Sequence, residues 1–422
     1  MSVLPRNLLP DTAEVSADGR LFVGGCDLLE VVAEHGTPLF VYDEQHLRSR
    51  CREAVAAFGE GVAYAGKAFL NLAMARLVHE EGMHLDVATG GELHVALAAG
   101  VPAEHLVFHG NNTSLPELVA AREAGVGRIV IDSFDEVDRL EALHVADGRV
   151  PTVLIRITPG IEAHTHEFVQ TGQDDSKFGF GVAVGAADRA ITRALASPAM
   201  ELVGLHTHIG SQVFVADSFE KAVGVLAPFV DDHGLPELSV GGGLGVAYVE
   251  GEQAPSITEW AEGIHHAVQA AGMTARVTAE PGRSIAAAAG ITLYTVGTTK
   301  DLPGIREYVS VDGGMSDNPR PVLYGSGYET FLPRATDADR TRAVRLVGKH
   351  CESGDLLVRE GWVPADLQVG DVLATPVTGA YGHTMGSNYN KVLRPAVVFL
   401  KDGEARLVTK RETYDDLLRN DV

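Results

Sequence analysis

Four short apolar runs begin at positions 62, 84, 106 and 128, so the central part of this chain repeats every 22 residues. That period matches one strand, one helix and two short loops. Further runs at 152–159, 202–211, 238–244 and 276–282 bring the number to eight. The segments between them, such as 70–81 and 91–99, carry apolar residues at helical spacing among good helix formers. Alternating strands and helices call for a parallel sheet, and eight strands are what such a sheet needs to close. The expected fold is therefore α/β, a (β/α)8 TIM barrel over residues 41–286.

The rhythm stops near Ala289. Beyond it, runs at 291–296, 308–311, 342–347, 356–358, 371–374 and 396–400 are short, rich in Val, Leu, Ile and Tyr, and set apart by Gly, Pro and Asp. They predict a mostly β domain over 287–422. The first 40 residues also read as extended around a helix at 28–35, and are expected to pack on that β domain. Between Pro159 and Leu202 the connection is long and polar, with Glu162 to Glu167 and Asp174 to Gly179, and reads as a loop over the barrel mouth.

Charge narrows the partners. A net −23 disfavours nucleic acid and anionic membrane surfaces, which call for a basic face. The one long uncharged stretch, 284–299, is too short and too polar to cross a bilayer. Acidic residues come too early for a secretory leader, which points to the cytoplasm. Cys26, Cys51 and Cys351 have neither CxxC nor metal-ligand spacing, so neither a disulfide framework nor a metal site is expected.

In such a barrel the chemistry sits where the strands end. Lys67 closes the first run, in Tyr64-Ala65-Gly66-Lys67-Ala68. A lysine there is paired, snorkelling at a rim, or chemically used. The sixth run ends in His206-Thr207-His208-Ile209-Gly210-Ser211, and alternation points both imidazoles the same way. A two-histidine metal site is one reading; an imidazole facing a flat ligand fits better, since no third ligand stands at suitable spacing. Gly241-Gly242-Gly243 ends the seventh run and Glu280-Pro281-Gly282-Arg283 the eighth. Three glycines mark either a tight turn or a nest of backbone N–H groups around an anion. Their place after strands seven and eight, where these barrels hold phosphate, favours the anion. Asp86, ending the second run, either faces the pocket or makes an ordinary barrel hydrogen bond. His35, His79, His144 and His233 have no motif around them and read as surface or core residues.

These motifs, in this order, resemble the fold-type III pyridoxal-phosphate decarboxylases, whose barrel is alanine racemase-like. Further landmarks resemble the branch of that family acting on diaminopimelate: Asp312-Gly313-Gly314-Met315-Ser316-Asp317-Asn318-Pro319-Arg320 with Tyr324, Cys351-Glu352-Ser353-Gly354-Asp355, and Gly379-Ala380-Tyr381-Gly382. The segments 161–166 and 175–180 look like that branch too. The resemblance implies pyridoxal 5'-phosphate carried covalently by Lys67, with His208 stacked on its ring and Glu280 at its ring nitrogen. Gly243, Gly282, Ser211 and Tyr381 would hold the phosphate. Arg283 and Tyr381 would serve cofactor and substrate alike.

A carboxylate at the ring nitrogen keeps it protonated and suits decarboxylation, whereas alanine racemases place an arginine there. By the same resemblance Arg283, Arg320 and Tyr324 would bind the distal carboxylate of meso-2,6-diaminopimelate, and Glu352 its ammonium. The expected products are L-lysine and carbon dioxide. Cys351, otherwise a small core residue by type, would reprotonate the substrate carbon from a partner subunit, which implies a homodimer with shared sites. Phe69 and His383 depart from the residues common there in the family. Two other readings remain: a related decarboxylase of secondary metabolism with another distal group, and a cofactor-storage or regulatory protein on the same barrel. The second sits poorly with a chain that has both Lys67 and a C-terminal domain.

Overall fold

Several barrel strands in this chain are short and hand over quickly to a capped helix. Ala63–Ala65 leads to Leu72–Glu80, begun by the Asn71 side chain, which accepts from the Met74 N–H at 2.8 Å. His84–Val87 leads to Gly90–Ala98, capped by Thr89, and Arg128–Ile131 to Phe134–Asp147, capped by Ser133. Such caps satisfy the first N–H groups of a helix and set where it starts. The residues between strand end and cap are therefore free to face the mouth.

The computed structural model describes residues 3–161, 172–173, 175–214 and 217–422. Within them, Ala63–Ala65, His84–Val87, Leu106–Phe108, Arg128–Ile131, Thr152–Thr158, Glu201–His206, Glu237–Ser239 and Arg276–Thr278 pair in that order. Every pairing is parallel. The first and last strands meet through Ala63 N–H to Ala279 O at 3.0 Å and Ala65 N–H to Pro281 O at 3.2 Å. These two bonds close the sheet, so the TIM barrel read from the 22-residue period is present. Ala63, Val107, Val130 and Leu154 fill part of its interior. Several apolar runs in the sequence outlast the strands; 202–211, for example, contains a strand that stops at His206. The excess is loop, buried by folding back rather than by pairing.

The chain divides into two compact units, one of residues 50–245 and 254–284, the other of residues 1–49, 246–253 and 285–422. In the second, one sheet runs in the order Leu356–Val363, Arg342–Val347, Arg306–Val311, Gly290–Leu302, Leu39–Asp43, Ala396–Lys401, Glu404–Thr409, with Val372–Pro376 paired to Gly290–Leu302. Leu39–Asp43 is buried along its whole length and lies between an antiparallel and a parallel neighbour. A boundary at residue 40 thus cuts a central strand: the chain stays in the β unit to residue 49, and residues 246–253 return to it. The helix read at 28–35 is present, capped by Asp27. Most of the loop expected over the mouth, including Glu162 to Glu167 and Asp174, lies outside the described residues. No helix among the described residues is long and apolar enough to cross a membrane.

Candidate active site

The barrel's strand ends bring Lys67, His208, Ser211, Gly243, Glu280, Gly282 and Arg283 into one unit. Lys67 sits in a single 3-10 turn, Gly66–Ala68, just past its strand, and is exposed between buried Gly66 and Ala68. It is a rim lysine, one of the three readings open for a lysine at that strand end. Phe69, one of the two departures from family usage, is buried, and its carbonyl accepts from the Tyr64 hydroxyl at 2.8 Å.

His208 is fixed from behind. The Gly242 N–H donates to its Nδ1 at 3.2 Å, which places the ring proton on Nε2. Burial, together with the charge of Lys67, holds His208 well below the usual histidine range, so the ring is neutral and flat-faced. The loops after strands six and seven are stitched together by Val213 N–H to Gly243 O and Gly245 N–H to Val213 O, both 2.9 Å. Gly243 has φ +119°, and a Cβ on it would lie 2.2 Å from the Gly210 carbonyl oxygen. A Cβ on Gly282 would lie 2.9 Å from that of Ala65. Neither position has room for a side chain, which leaves the backbone bare at the place where these barrels take phosphate. Arg283 opens the short helix Arg283–Ala286 and donates from Nη2 to Ser211 Oγ at 2.8 Å. A cation and a hydroxyl thus join the glycine loops.

Glu280 is buried and held on both oxygens. His206 Nε2 lies 2.9 Å from Oε2, and the Ser239 hydroxyl donates to Oε1 at 2.8 Å. Burial alone would push this carboxyl up; the neighbouring imidazoles of His206 and His109 more than reverse it and hold Glu280 well below the usual range. His206 itself is driven down to about 4 by burial, so it is a neutral donor. His109, Arg156, Asp132 and Ser239 belong to this network and were not singled out in the sequence. Ser239 is the last residue of its strand and His109 follows directly after Leu106–Phe108, so the strand-end rule applied evenly would have found both. The side chains of His109, His206 and Glu280 gather donor atoms within 4.8 Å of one another, chemistry a transition metal could use. The His206 hydrogen bond already engages part of that set.

Residues of the β unit form their own groups. Arg320 begins the helix Arg320–Tyr324 and is 4% exposed. Its Nη1 donates to the Tyr328 hydroxyl at 2.6 Å and its guanidinium lies 4.3 Å from the centre of the Tyr248 ring. Among the described residues, Arg320 has no carboxylate at ion-pair distance. Tyr324 is half-buried at the end of the same helix, and Tyr381 lies within electrostatic reach of Arg320. Tyr381 has φ +60°, a strained value for a side-chain-bearing residue and one found often at functional sites. His383, the other departure, meets Phe40 edge-on at 5.6 Å.

Cys351 is exposed, unlike buried Cys26 and Cys51, which removes the small-core-residue reading. Its N–H donates to Asn390 Oδ1 at 3.3 Å, while the preceding His350 is tied to Ser316 Oγ at 2.8 Å and to the Asp355 carboxylate through its N–H, also at 2.8 Å. Glu352 is exposed beside it and accepts from the Gly354 N–H at 3.2 Å. The loop is anchored at its base and open at its chemical end.

The family model described as pyridoxal-dependent decarboxylase, pyridoxal binding domain, matches residues 44–287. Diaminopimelate decarboxylase of Mycobacterium tuberculosis (strain ATCC 25618 / H37Rv) is 49% identical over 443 residues, covering 100% of this chain and 98% of that protein. The Bacillus subtilis (strain 168) enzyme of that name is 45% identical over 430 residues, with 98% of each covered. Among solved structures, diaminopimelate decarboxylase from M. jannaschii in co-complex with L-lysine superposes with a TM-score of 0.91 at 32% identity, covering 98% of each chain. That from Helicobacter pylori complexed with L-lysine gives 0.85 at 31%, covering 93% of this chain and 98% of the other. A rim lysine, a neutral flat histidine, an ionised buried glutamate and two glycine loops agree with these matches, and the chain belongs to the pyridoxal-dependent decarboxylases, among the diaminopimelate decarboxylases.

Proposed function

We propose that this chain decarboxylates meso-2,6-diaminopimelate to L-lysine with pyridoxal 5'-phosphate, in the cytoplasm and as a homodimer with shared active sites. The observation that carries the substrate is Arg320, a buried guanidinium held by the Tyr328 hydroxyl and the Tyr248 ring, with no carboxylate partner among the described residues. A buried cation without a counter-ion is costly, and an incoming planar carboxylate removes that cost through paired N–H donors. Ornithine and arginine carry no carboxylate at the far end.

The cofactor, when bound, supplies an electron sink for the pair released as the bond from Cα to the carboxylate breaks. Lys67 would carry it covalently through its amine. The N–H groups of Gly243 and Gly282, the hydroxyls of Ser211 and Tyr381, and Arg283 hold its phosphate. His208 presents its neutral face to the ring. Glu280, kept ionised, would accept from the ring nitrogen and so hold the proton there. At the far end of the substrate Arg320, with Arg283 and Tyr324, takes the carboxylate, and Glu352 takes the ammonium. The Cys351 thiol gives its proton to Cα after carbon dioxide leaves. We assign the barrel unit, residues 50–245 and 254–284, to cofactor binding and the β unit, residues 1–49, 246–253 and 285–422, to the substrate side. An exposed Cys351–Glu352 pair on an anchored loop suits delivery into the site of a second copy. Buried Cys26 and Cys51, both in the thiol form, suit a reducing compartment.

The test is a substrate panel with purified protein and added cofactor, scored by carbon dioxide and amine product. Turnover of meso-diaminopimelate to L-lysine, with ornithine and arginine inert, is the expected result. Turnover of either of those two alone would overturn the assignment.

A further inference from the structure

A buried group between three strand ends has no part in the scheme above. His109 Nε2 lies 3.4 Å from Asp86 Oδ1 and 3.5 Å from Glu280 Oε1. The three residues are 8%, 8% and 7% exposed. At these lengths the nitrogen makes long, ion-pair contacts with both carboxylates rather than one short hydrogen bond to either. A neutral imidazole is a poor occupant of this place. With its proton elsewhere, the Nε2 lone pair would face two carboxylates; with the proton on Nε2, it could serve only one of them. An imidazolium attracts both at these distances.

The surrounding charges agree. Arg156 sits 3.5 Å from Asp132, and Lys67 is the other cation within electrostatic reach of Asp86. His206 is neutral and already committed to Glu280 Oε2. Asp86, Glu92, Asp132 and Glu280 therefore face Arg156, Lys67 and Lys177, and a charged His109 completes the balance. Burial alone would push His109 down, and the two carboxylates more than reverse it.

We propose that His109 is a positioning residue: an imidazolium wedged between Asp86 and Glu280 that keeps the Glu280 carboxylate ionised, and through it keeps the cofactor's ring nitrogen protonated. The inference rests on the role assigned above to Glu280. Without the charge, Glu280 would face Asp86 across a buried gap. Its carboxylate would become more basic and draw the proton off the ring nitrogen.

The test uses holoenzyme carrying pyridoxal phosphate labelled with 15N in the ring. Wild type should give the signal of a protonated ring nitrogen. In His109→Gln the signal should move toward the unprotonated position, and kcat should fall about tenfold for each pKa unit lost at that nitrogen, with KM little changed. A folded variant with less thermal stability but an unmoved ring-nitrogen signal would show a merely structural role and overturn the proposal. A second measurement needs no variant: 15N-histidine-labelled wild-type holoenzyme near neutral pH should show one buried imidazolium, assigned to His109, beside a neutral His206. A neutral His109, or stoichiometric zinc bound to these side chains, would contradict it. Lysine formation by wild type is scored in parallel. Lysine without a moved signal refutes this proposal alone, whereas a moved signal without lysine refutes only the substrate assignment.

Discussion

The two sets of residues assigned to this chemistry are held in opposite ways. In the barrel, the side chains meant for the cofactor's ring and phosphate are gripped before any ligand arrives. Glu280 is bonded on both oxygens, His208 is fixed by a backbone N–H, and Ser211 by Arg283. In the Cys351 loop the main chain is anchored through His350, Asp355 and Asn390, yet the thiol and the Glu352 carboxylate stand exposed. The difference separates tasks. An electron sink needs a partner whose charge and direction do not relax during the reaction, which is what preorganised hydrogen bonds supply. A proton donor entering a second copy's site has to remain open until that copy is in place.

That contrast can be broken at either end. The largest effect should come from Lys67→Ala, which removes the covalent hold. The visible absorbance of the bound cofactor should vanish and activity fall to background, while circular dichroism stays unchanged because Lys67 is a rim residue. Retained absorbance would move the attachment elsewhere. Cys351→Ser should leave the absorbance intact and lower kcat by roughly 10²–10⁴, the range for loss of a general acid. Equal loss of cofactor would mean that the loop is structural.

The smallest effect concerns His383, which burial and the charge of Arg394 push down to about 3. An unfolded chain takes that proton below about 6.5, whereas the folded chain stays neutral until about 3. The unfolded state thus binds more protons in that window, and stability is lost as pH falls through it. His383→Phe should flatten this acid limb by on the order of 1 kcal/mol, because the ring is not fully enclosed. Denaturant melts at pH 7 and pH 4 will show it; an equal acid loss in both proteins would clear His383 of the effect.

How much of this was legible in the sequence follows from what each feature depends on. The barrel was legible because a 22-residue period leaves a trace in hydrophobicity that no tertiary contact needs to reveal. The glycine loops were legible because bare backbone is itself a residue type. The strand Leu39–Asp43 was seen as extended, but its central place depends on pairing with Gly290–Leu302 and Ala396–Lys401, roughly 250 and 350 residues away. His109 could have been flagged by its place directly after Leu106–Phe108, but its partners Asp86 and Glu280 come from other strands and only the fold shows them. Lys67 was placed at a strand end, but the apolar run gave no sign of the short turn that lifts it to the rim.

The central claim is that the gripped cofactor set of one copy works with the open Cys351 loop of another. The direct test co-expresses Lys67→Ala and Cys351→Ser chains with different tags and isolates the mixed dimer. Each parent dimer should be nearly inactive. In the mixed dimer one site receives a wild-type lysine and a wild-type cysteine, so about half of wild-type activity should return, as two-fold symmetry requires. A mixed dimer as inactive as its parents would contradict the shared site and place both residues in the service of the same copy.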